Sequence, residues 1–270
     1  MYKRRITRSF FSRTPRYPGR NWIRKRLEGV MYGIFLIAAE DSRKILNYGL
    51  SEKEQGRILG IWGRLSILTD DLHESGYYHE NLRRIITEQN EVIDGTDAQR
   101  PLLEVIAADA KTIREFVSLR WKEDFWKTAL TCLDYQLRYL PTSEYGNANF
   151  DDLLDTERMI GGNFNLATIY LLDPDPERFS CCIREALFLQ GAWGQAIDDY
   201  VDRHKDEARG IRTPFTCCEN PKGLLEKLSN DYEKKIVVLT QREDCLIPLM
   251  KDLMWLARFA GLPIVSAFLK

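Results

Sequence analysis

Apolar residues with helical spacing run through most of this 270-residue chain and constrain its fold more than any other feature. From about residue 27 they recur every three or four positions, which places them on one face of an α-helix. No stretch shows the apolar–polar alternation of a half-buried strand followed by a hairpin turn. The pattern predicts an all-α, single-domain protein. The predicted helical stretches are Trp22–Leu50, Glu52–Glu74, His79–Val92 and Leu102–Tyr139, with two more helices in residues 221–270.

Turn-forming residues divide these helices. Glycine, proline and asparagine cluster between the apolar stretches, where they favour turns and helix ends. No fixed repeat and no low-complexity linker splits the chain, so one helical domain over residues 27–270 is expected. The turn signals are Tyr48-Gly49, Asp94-Gly95, Pro141–Asn149, Asp173–Pro176, Arg209-Gly210, Pro214 and Asn220-Pro221.

Composition excludes several classes of protein. An apolar fraction of 44% supports a full core, and a formal net charge of -1 argues against a nucleic-acid binder. No apolar run reaches the roughly 18 residues of a membrane span, so no integral membrane segment is expected. The six cysteines form no CxxC motif, which indicates reduced thiols in an intracellular, cytoplasmic protein.

The first 26 residues carry ten Lys and Arg and no acid. Pro15, Pro18 and Gly19 prevent one long helix there. Three interpretations stay open: an arm that folds over an anionic site, a poorly ordered basic tail, and an organelle-targeting leader.

An acidic stripe is predicted within the stretch Gly191–Asp206. On a helix, Asp198, Asp199, Asp202 and Asp206 fall within about 100° of one another, and Gln195 lies on the same face. Like charges one turn apart repel, so a bound cation would stabilise the stripe. Oxygen-only ligands suit a hard ion such as Mg²⁺. The alternative is a solvated acidic face on an ordinary helix.

A second acidic cluster ends an earlier apolar helix. Asp70, Asp71 and Glu74 share one helical face there. If the two clusters face each other, they could hold several Mg²⁺ ions, and the oxygens of a diphosphate would complete the coordination.

Arg158 precedes the pair Gly161-Gly162 by one turn. Glycines inside a helix cost up to about 1 kcal/mol each relative to Ala, so we expect the helix to break there. Arg158 would then be placed to bind phosphate oxygens with its guanidinium fork. The alternative is that Arg158 pairs with Glu157 or Asp155 on a solvated face.

Other cations fall near the acids or in apolar surroundings. Lys205 belongs to a basic group next to the main acidic stretch and could hold a diphosphate from the side opposite the metals. Arg258 lies in the apolar stretch Leu246–Ala260, where a buried charge needs a partner.

These motifs resemble those of the class I terpenoid (isoprenoid) synthase superfamily. The sequence Asp70-Asp71-Leu-His-Glu74 is similar to its DDxxD/E metal motif. The stretch that runs from Asp198 to Asp206 is similar to the cyclase triad (N/D)Dxx(S/T)xxx(E/D), with Asp202 at the Ser/Thr position. The same stretch also resembles the FQxxDDxxD motif of chain-elongating prenyltransferases, with Gly194 in place of Phe.

Two further features of the resemblance favour the cyclases. Arg158 with Gly161-Gly162 is similar to the diphosphate-sensor Arg and the effector-glycine helix break. Arg258-Phe259 resembles the C-terminal Arg-Tyr pair. The GGKRxRP and RRG segments of prenyltransferases are absent from the sequence. Squalene and phytoene synthases use DxxxD motifs, and this chain departs from them by having adjacent Asp pairs.

The resemblance, over roughly residues 30–265, implies an antiparallel helical bundle around a central apolar cavity. It also implies three Mg²⁺ ions and an allylic prenyl diphosphate substrate, such as farnesyl or geranylgeranyl diphosphate. The implied metal ligands are Asp70, Asp71, Glu74, Asp198, Asp199, Asp202 and Asp206. The implied catalytic residues are Arg158, Gly162 and Arg258. The predicted substrate-binding residues are Arg158, Lys205, Arg258, Gln195, Trp62, Trp193, Phe164 and Tyr200, the four aromatics as a wall for the carbocation.

Two other functions stay open at this point. One is a trans-prenyltransferase that joins two isoprenoid units, by chain elongation or head-to-head condensation. The other is a non-catalytic helical subunit of the same fold, and the intact acids of both clusters argue against it. A homodimer is compatible with all three functions.

Overall fold

We describe the protein from a computed structural model, which describes residues 52–74, 79–87, 96, 99–117, 122–136, 138, 148–172 and 180–240. For several residues of the first helix, Asp70, Asp71 and Glu74 among them, only the backbone is described. The described residues form helices and no strand, which confirms the all-α prediction. The eight helices are α1 (Glu52–Glu74), α2 (His79–Thr87), α3 (Arg100–Val117), α4 (Lys122–Gln136), α5 (Phe150–Leu172), α6 (Cys181–Arg209), α7 (Pro214–Cys217) and α8 (Pro221–Thr240).

The predicted boundaries hold in part. The first described helix, α1, has the predicted bounds, but the single helix predicted over Leu102–Tyr139 is two helices, α3 and α4. The apolar period continues across both, which hid the boundary. Glu123 and Asp124 in the first turn of α4 are the signal that was missed, because acids stabilise helix N-termini. The predicted helix Trp22–Leu50, the basic segment 1–26 and the stretch around Arg258 lie outside the described residues.

Capping residues fix both ends of the longest helix, α6. The Ser180 hydroxyl accepts a hydrogen bond from the Ile183 N–H at the start. At the end, Gly210 adopts φ 72°, and the Ile211 N–H donates to the Asp206 carbonyl. This left-handed backbone conformation favours glycine, because a Cβ would make it sterically unfavourable. The predicted Arg209-Gly210 turn is therefore confirmed.

The first hydrophobic core cluster has members on each of the helices α1–α6, and Trp62 of α1 is one of them. The Trp62 ring stacks on Phe164 of α5, with 5.2 Å between centroids, and meets the edge of Phe125 of α4 at 5.3 Å. Its indole N–H donates to the Thr168 hydroxyl at 2.9 Å, so the polar atom of this buried ring is satisfied. This one side chain therefore joins three helices.

Two arginines connect α3 to its neighbours α1 and α2. Arg64 of α1 binds both carboxylate oxygens of the buried Asp109 of α3, at 2.7 and 2.6 Å. Arg114 of α3 donates to the carbonyls of Ile85 and Ile86 in the last turn of α2, which have no partner within that helix. These contacts fix α3 against its neighbours.

The second hydrophobic core cluster packs α6 against α7 and α8. Trp193 of α6 is fully buried and donates its indole N–H to the Ser229 hydroxyl of α8 at 2.9 Å. Tyr200 of α6 meets Phe215 of α7 edge to face. Both core clusters therefore share α6. None of the described helices has the length and apolarity required to cross a lipid bilayer.

Candidate functional site

Helices α5 and α6 pack antiparallel and approach most closely at a pair of glycines. A Cβ atom added to Gly161 would collide with the carbonyl oxygen of Gly191, and one added to Gly191 would collide with that of Gly161. One turn further along α5, the Asn165 amide donates to the Leu187 carbonyl, one turn earlier in α6. The backbones of the two helices are therefore in direct contact.

This contact corrects the prediction of a helix break. Helix α5 runs without interruption through Gly161 and Gly162. Both glycines serve packing: Gly161 admits the backbone of α6, and Gly162 leaves room for the Phe188 ring, which an added Cβ would overlap. Gly162 was predicted as an effector at the break. That expectation is wrong about the local backbone, because close packing outweighs the low helix propensity of glycine.

The acids of α6 are buried to different degrees. Asp199 is 5% exposed and Asp206 is 8% exposed, whereas Asp198 is exposed. Asp202 is partly exposed and pairs with Lys205 at 3.1 Å. A fully solvated acidic face is therefore excluded for Asp199 and Asp206.

Gln195 lies one turn before Asp199 and contacts it, in agreement with the predicted shared face. Its side-chain amide donates to a carboxylate oxygen of Asp199 at 2.6 Å. A donated hydrogen bond stabilises the charged form of a buried carboxylate.

Glu157 of α5 is a second buried acid at the same place. The residue is 0% exposed, and neither carboxyl oxygen has a hydrogen-bond partner. Burial raises the pKa of the Glu157 carboxyl well above its usual value, and the negative charge of Asp199 raises it further. Asp199 of α6 is thus close enough to act on Glu157 electrostatically.

Tyr232 of α8 completes this group. It is buried, and burial together with the charge of Glu157 raises the pKa of its phenol, an effect that the positive charge of Arg158 partly offsets. Helices α5, α6 and α8 therefore converge on two carboxyl groups and one phenol. We call Glu157, Asp199 and Tyr232 the buried acid group.

Arg158 lies at the edge of the buried acid group. The residue is exposed, and its guanidinium carbon is 5.5 Å from the centroid of the Phe188 ring. Its charge is felt at Tyr232, so it is near the acids while open to solvent. The structure thus places the predicted Arg158 near Tyr232, one member of the buried acid group.

The four aromatics predicted as a wall divide between the two core clusters. Trp62 and Phe164 stack on each other in the first core cluster. Trp193 and Tyr200 lie in the second, where Trp193 is fully buried and hydrogen-bonded to Ser229. The structure brings each pair into the same core cluster but does not bring the two pairs together.

The other predicted ligands are only partly described. The backbones of Asp70, Asp71 and Glu74 form the last turns of α1, but their side chains lie outside the described set, as does Arg258. Among the side chains that are described, no three His, Cys, Asp or Glu lie close enough together to hold a metal ion. The acids of α6 are among these described side chains.

Sequence analysis missed Glu157 as a site residue, although a signal was present. Leu153, Glu157, Ile160 and Gly161 recur at helical spacing and form the buried face of α5, so Glu157 occupies an inward position. The sequence analysis considered Glu157 only as an ion-pair partner for Arg158. An acid in an apolar stripe would have identified it.

Comparison with known proteins gives no match: no family model fits the chain, and no curated protein and no solved structure matches it.

Proposed function

We propose that the protein is a class I terpene synthase that ionises an allylic prenyl diphosphate, such as farnesyl or geranylgeranyl diphosphate, with Mg²⁺ as cofactor. The proposed architecture is an antiparallel bundle around an apolar cavity, with the acids at the mouth of the cavity. The proposed location of the protein is the cytoplasm. The observation that carries the proposal is the burial of Asp199 beside Glu157, at the α6 motif that resembles the cyclase triad. A carboxyl buried without any hydrogen bond, as at Glu157, suits a site that binds cations.

The side chains present fit Mg²⁺. They offer oxygen donors, and both Glu157 oxygens are buried without a partner. The residues that would hold the ions are Asp198, Asp199, Asp202 and Asp206 of α6 with Asp70, Asp71 and Glu74 of α1. Helix α5 packs against both α1 and α6, which supports an arrangement in which the two acidic segments share one site. When bound, Mg²⁺ supplies charge neutralisation for the departing diphosphate.

The roles proposed for the protein's own residues follow from their positions. Arg158 is exposed beside the acids, so its N–H groups would bind diphosphate oxygens and stabilise the charge that develops on them. Lys205, one turn from Asp202, and Arg258 would do the same. Gln195 holds the Asp199 carboxylate in place through the 2.6 Å hydrogen bond. Gly162 contributes packing.

The apolar part of the site would lie around the Trp62–Phe164 stack. Aromatic faces exclude water and stabilise a carbocation by cation–π attraction. Phe164 is on α5, which also carries Arg158, so one helix would contact both ends of a prenyl diphosphate. The Trp193–Tyr200 pair, in the second core cluster, would support α6 from behind.

The test is Mg²⁺-dependent release of diphosphate from prenyl diphosphates of three chain lengths, with products identified by gas chromatography. Loss of one electrostatic stabiliser of a transition state lowers kcat by about 10²–10³. We therefore expect losses of that order for Asp71→Ala, Asp198→Ala and Arg158→Gln. Arg158 is exposed, so Arg158→Gln should leave the melting temperature unchanged.

The control is Asp155→Asn, which removes an exposed acid from the same helix as Arg158 and should leave turnover intact. A folded protein that releases no diphosphate from any of the substrates would refute the proposal. Elongated products on addition of isopentenyl diphosphate would instead identify a trans-prenyltransferase.

A further inference from the structure

Glu157 belongs to none of the acidic motifs in the sequence, yet its side chain is the most deeply buried acid that the structure describes. It lies on α5, while the predicted ligands lie on α1 and α6. A carboxyl group buried without any hydrogen bond is strongly unfavourable, so a native site of this kind calls for an occupant.

The position of Glu157 is set by the backbone. Glu157 lies one turn from Gly161, and Gly161 touches Gly191 of α6 directly. Gln195 and Asp199 follow Gly191 by one and two turns, on the same side of α6. The glycine contact therefore brings the Glu157 and Asp199 side chains toward each other from two antiparallel helices.

A shared proton does not account for the pair. A protonated Glu157 bound directly to Asp199 would give a hydrogen bond between the two carboxyls, and no such bond is present. No hydrogen bond from a cation reaches Glu157 either, because neither of its oxygens has a partner and the guanidinium of the adjacent Arg158 is exposed against the Phe188 ring.

A bound divalent cation does account for the pair. Mg²⁺ holds oxygens at about 2.0–2.1 Å, which separates two ligand oxygens by about 3–4 Å, more than a direct hydrogen bond between carboxyls. Mg²⁺ sites use one or two carboxylates and complete their coordination with water or phosphate oxygens. Glu157 and Asp199 provide this number of carboxylates from two different helices.

We propose that Glu157 and Asp199 together ligate one divalent cation, so that the metal site is shared between α5 and α6. The inference rests on the proposed function, because it enlarges the same acidic site by a ligand outside its motifs. Glu157 and Arg158 are adjacent in sequence, so a metal ligand and a diphosphate ligand would then be carried by consecutive residues of α5.

The test measures metal binding without turnover. Mn²⁺ replaces Mg²⁺ as the probe, its binding to the full chain is followed by electron paramagnetic resonance, and Mg²⁺ is used as competitor. Titrations are run with and without inorganic diphosphate, which can complete the coordination. Glu157→Gln removes the charge at nearly constant shape, and Asp155→Asn, an exposed acid two residues earlier on α5, is the matched control.

We expect Glu157→Gln to weaken Mn²⁺ binding about tenfold or more, since even residues that only support a ligand contribute that much. Asp155→Asn should leave it unchanged. Glu157→Asp, which keeps the charge and retracts the carboxyl, should fall between Glu157→Gln and the wild type. Added Mg²⁺ should also raise the melting temperature of the wild type more than that of either Glu157 variant, and this comparison needs no turnover.

Equal Mn²⁺ affinity in the wild type and Glu157→Gln would overturn the inference, and so would a wild type that binds no Mn²⁺ in either titration. The proposed function is judged separately. Diphosphate release together with equal affinities would leave the enzyme assignment standing without Glu157 as a ligand. Glu157-dependent binding without release from any prenyl diphosphate would leave the metal site standing without the enzyme assignment.

Discussion

Glu157 makes the protein's stability depend on pH in a direction opposite to that of a salt-bridged acid. Its pKa is raised in the folded state, by burial first and by Asp199 second, while in the unfolded chain it returns to about 4.3. Between these two pKa values the folded state binds one proton more than the unfolded state. The free energy of unfolding therefore decreases as pH rises above about 4.3, by up to about 1.4 kcal/mol per pH unit from this group.

Substitution of Glu157 by Gln should remove this dependence in metal-free protein. Gln does not titrate, so we expect Glu157→Gln to gain stability relative to the wild type as pH rises from 4 to 8, with little difference at pH 4. Urea unfolding in the presence of a chelator measures this difference. Asp155→Asn serves as the control, and wild-type and Glu157→Gln curves that stay parallel over the whole range would contradict the assigned pKa shift.

Glu157 also shows which residues of the candidate site could be predicted from the sequence and which could not. Arg158 was predicted from a motif, and the structure places its charge near Tyr232 of the buried acid group. Its neighbour Glu157 was passed over, although the period of the apolar stripe puts position 157 on the buried face and position 158 off it. The side chains of Asp70, Asp71 and Glu74 lie outside the described residues, so the α1 cluster stays a prediction.

Contact between helices, rather than bending, explains Gly161 and Gly162 of α5 and Gly191 of α6. Gly161 and Gly191 allow backbone to touch backbone, whereas no atom of the described residues lies where a Cβ would be added at Gly194, one turn along α6. From the sequence one knows only that glycine weakens a helix. This holds equally for a glycine at a helix break and for a glycine at a close helix crossing, so it does not distinguish the two. The helices themselves could therefore be predicted, but the role of these glycines could not.

Alanine substitutions on α6 should separate the two kinds of glycine. Gly191→Ala forces a Cβ against the Gly161 carbonyl and should lower the free energy of unfolding by about 1–3 kcal/mol. Gly194→Ala meets no atom of the described residues and should raise it by up to about 1 kcal/mol, because alanine favours the helix. Chemical denaturation of both variants tests this. Equal effects of the two substitutions would show that α5 and α6 do not meet at Gly191.

Helix α6 connects the two hydrophobic core clusters of the described molecule. Leu187 is buried in the first cluster and Leu189 in the second, only two residues apart. Contacts within a core cluster join residues that are far apart in the sequence. One example is the hydrogen bond between Trp62 and Thr168, which are 106 positions apart. Helical periodicity cannot reveal such pairings, because it gives the buried face of a helix and not the helix that covers it.

Since α6 belongs to both clusters, we expect them to unfold together. Leu187→Ala and Leu189→Ala should each cost about 2–5 kcal/mol, and each variant should show one transition. The measurement follows helix content by far-UV circular dichroism and aromatic packing by near-UV circular dichroism. Transitions that separate between the two signals, in one variant but not in the other, would show two independent folding units.

The contact between Gly161 and Gly191 also limits which movements can open the site. Sliding α5 along α6 by one turn, about 5.4 Å, would press residues with side chains into a gap that admits none. Sliding of these two helices past each other is therefore blocked, and α5 and α6 keep a fixed relative position. Any opening that admits a ligand to Glu157 and Asp199 must come from the elements around the α5–α6 pair, such as α8, which carries Tyr232.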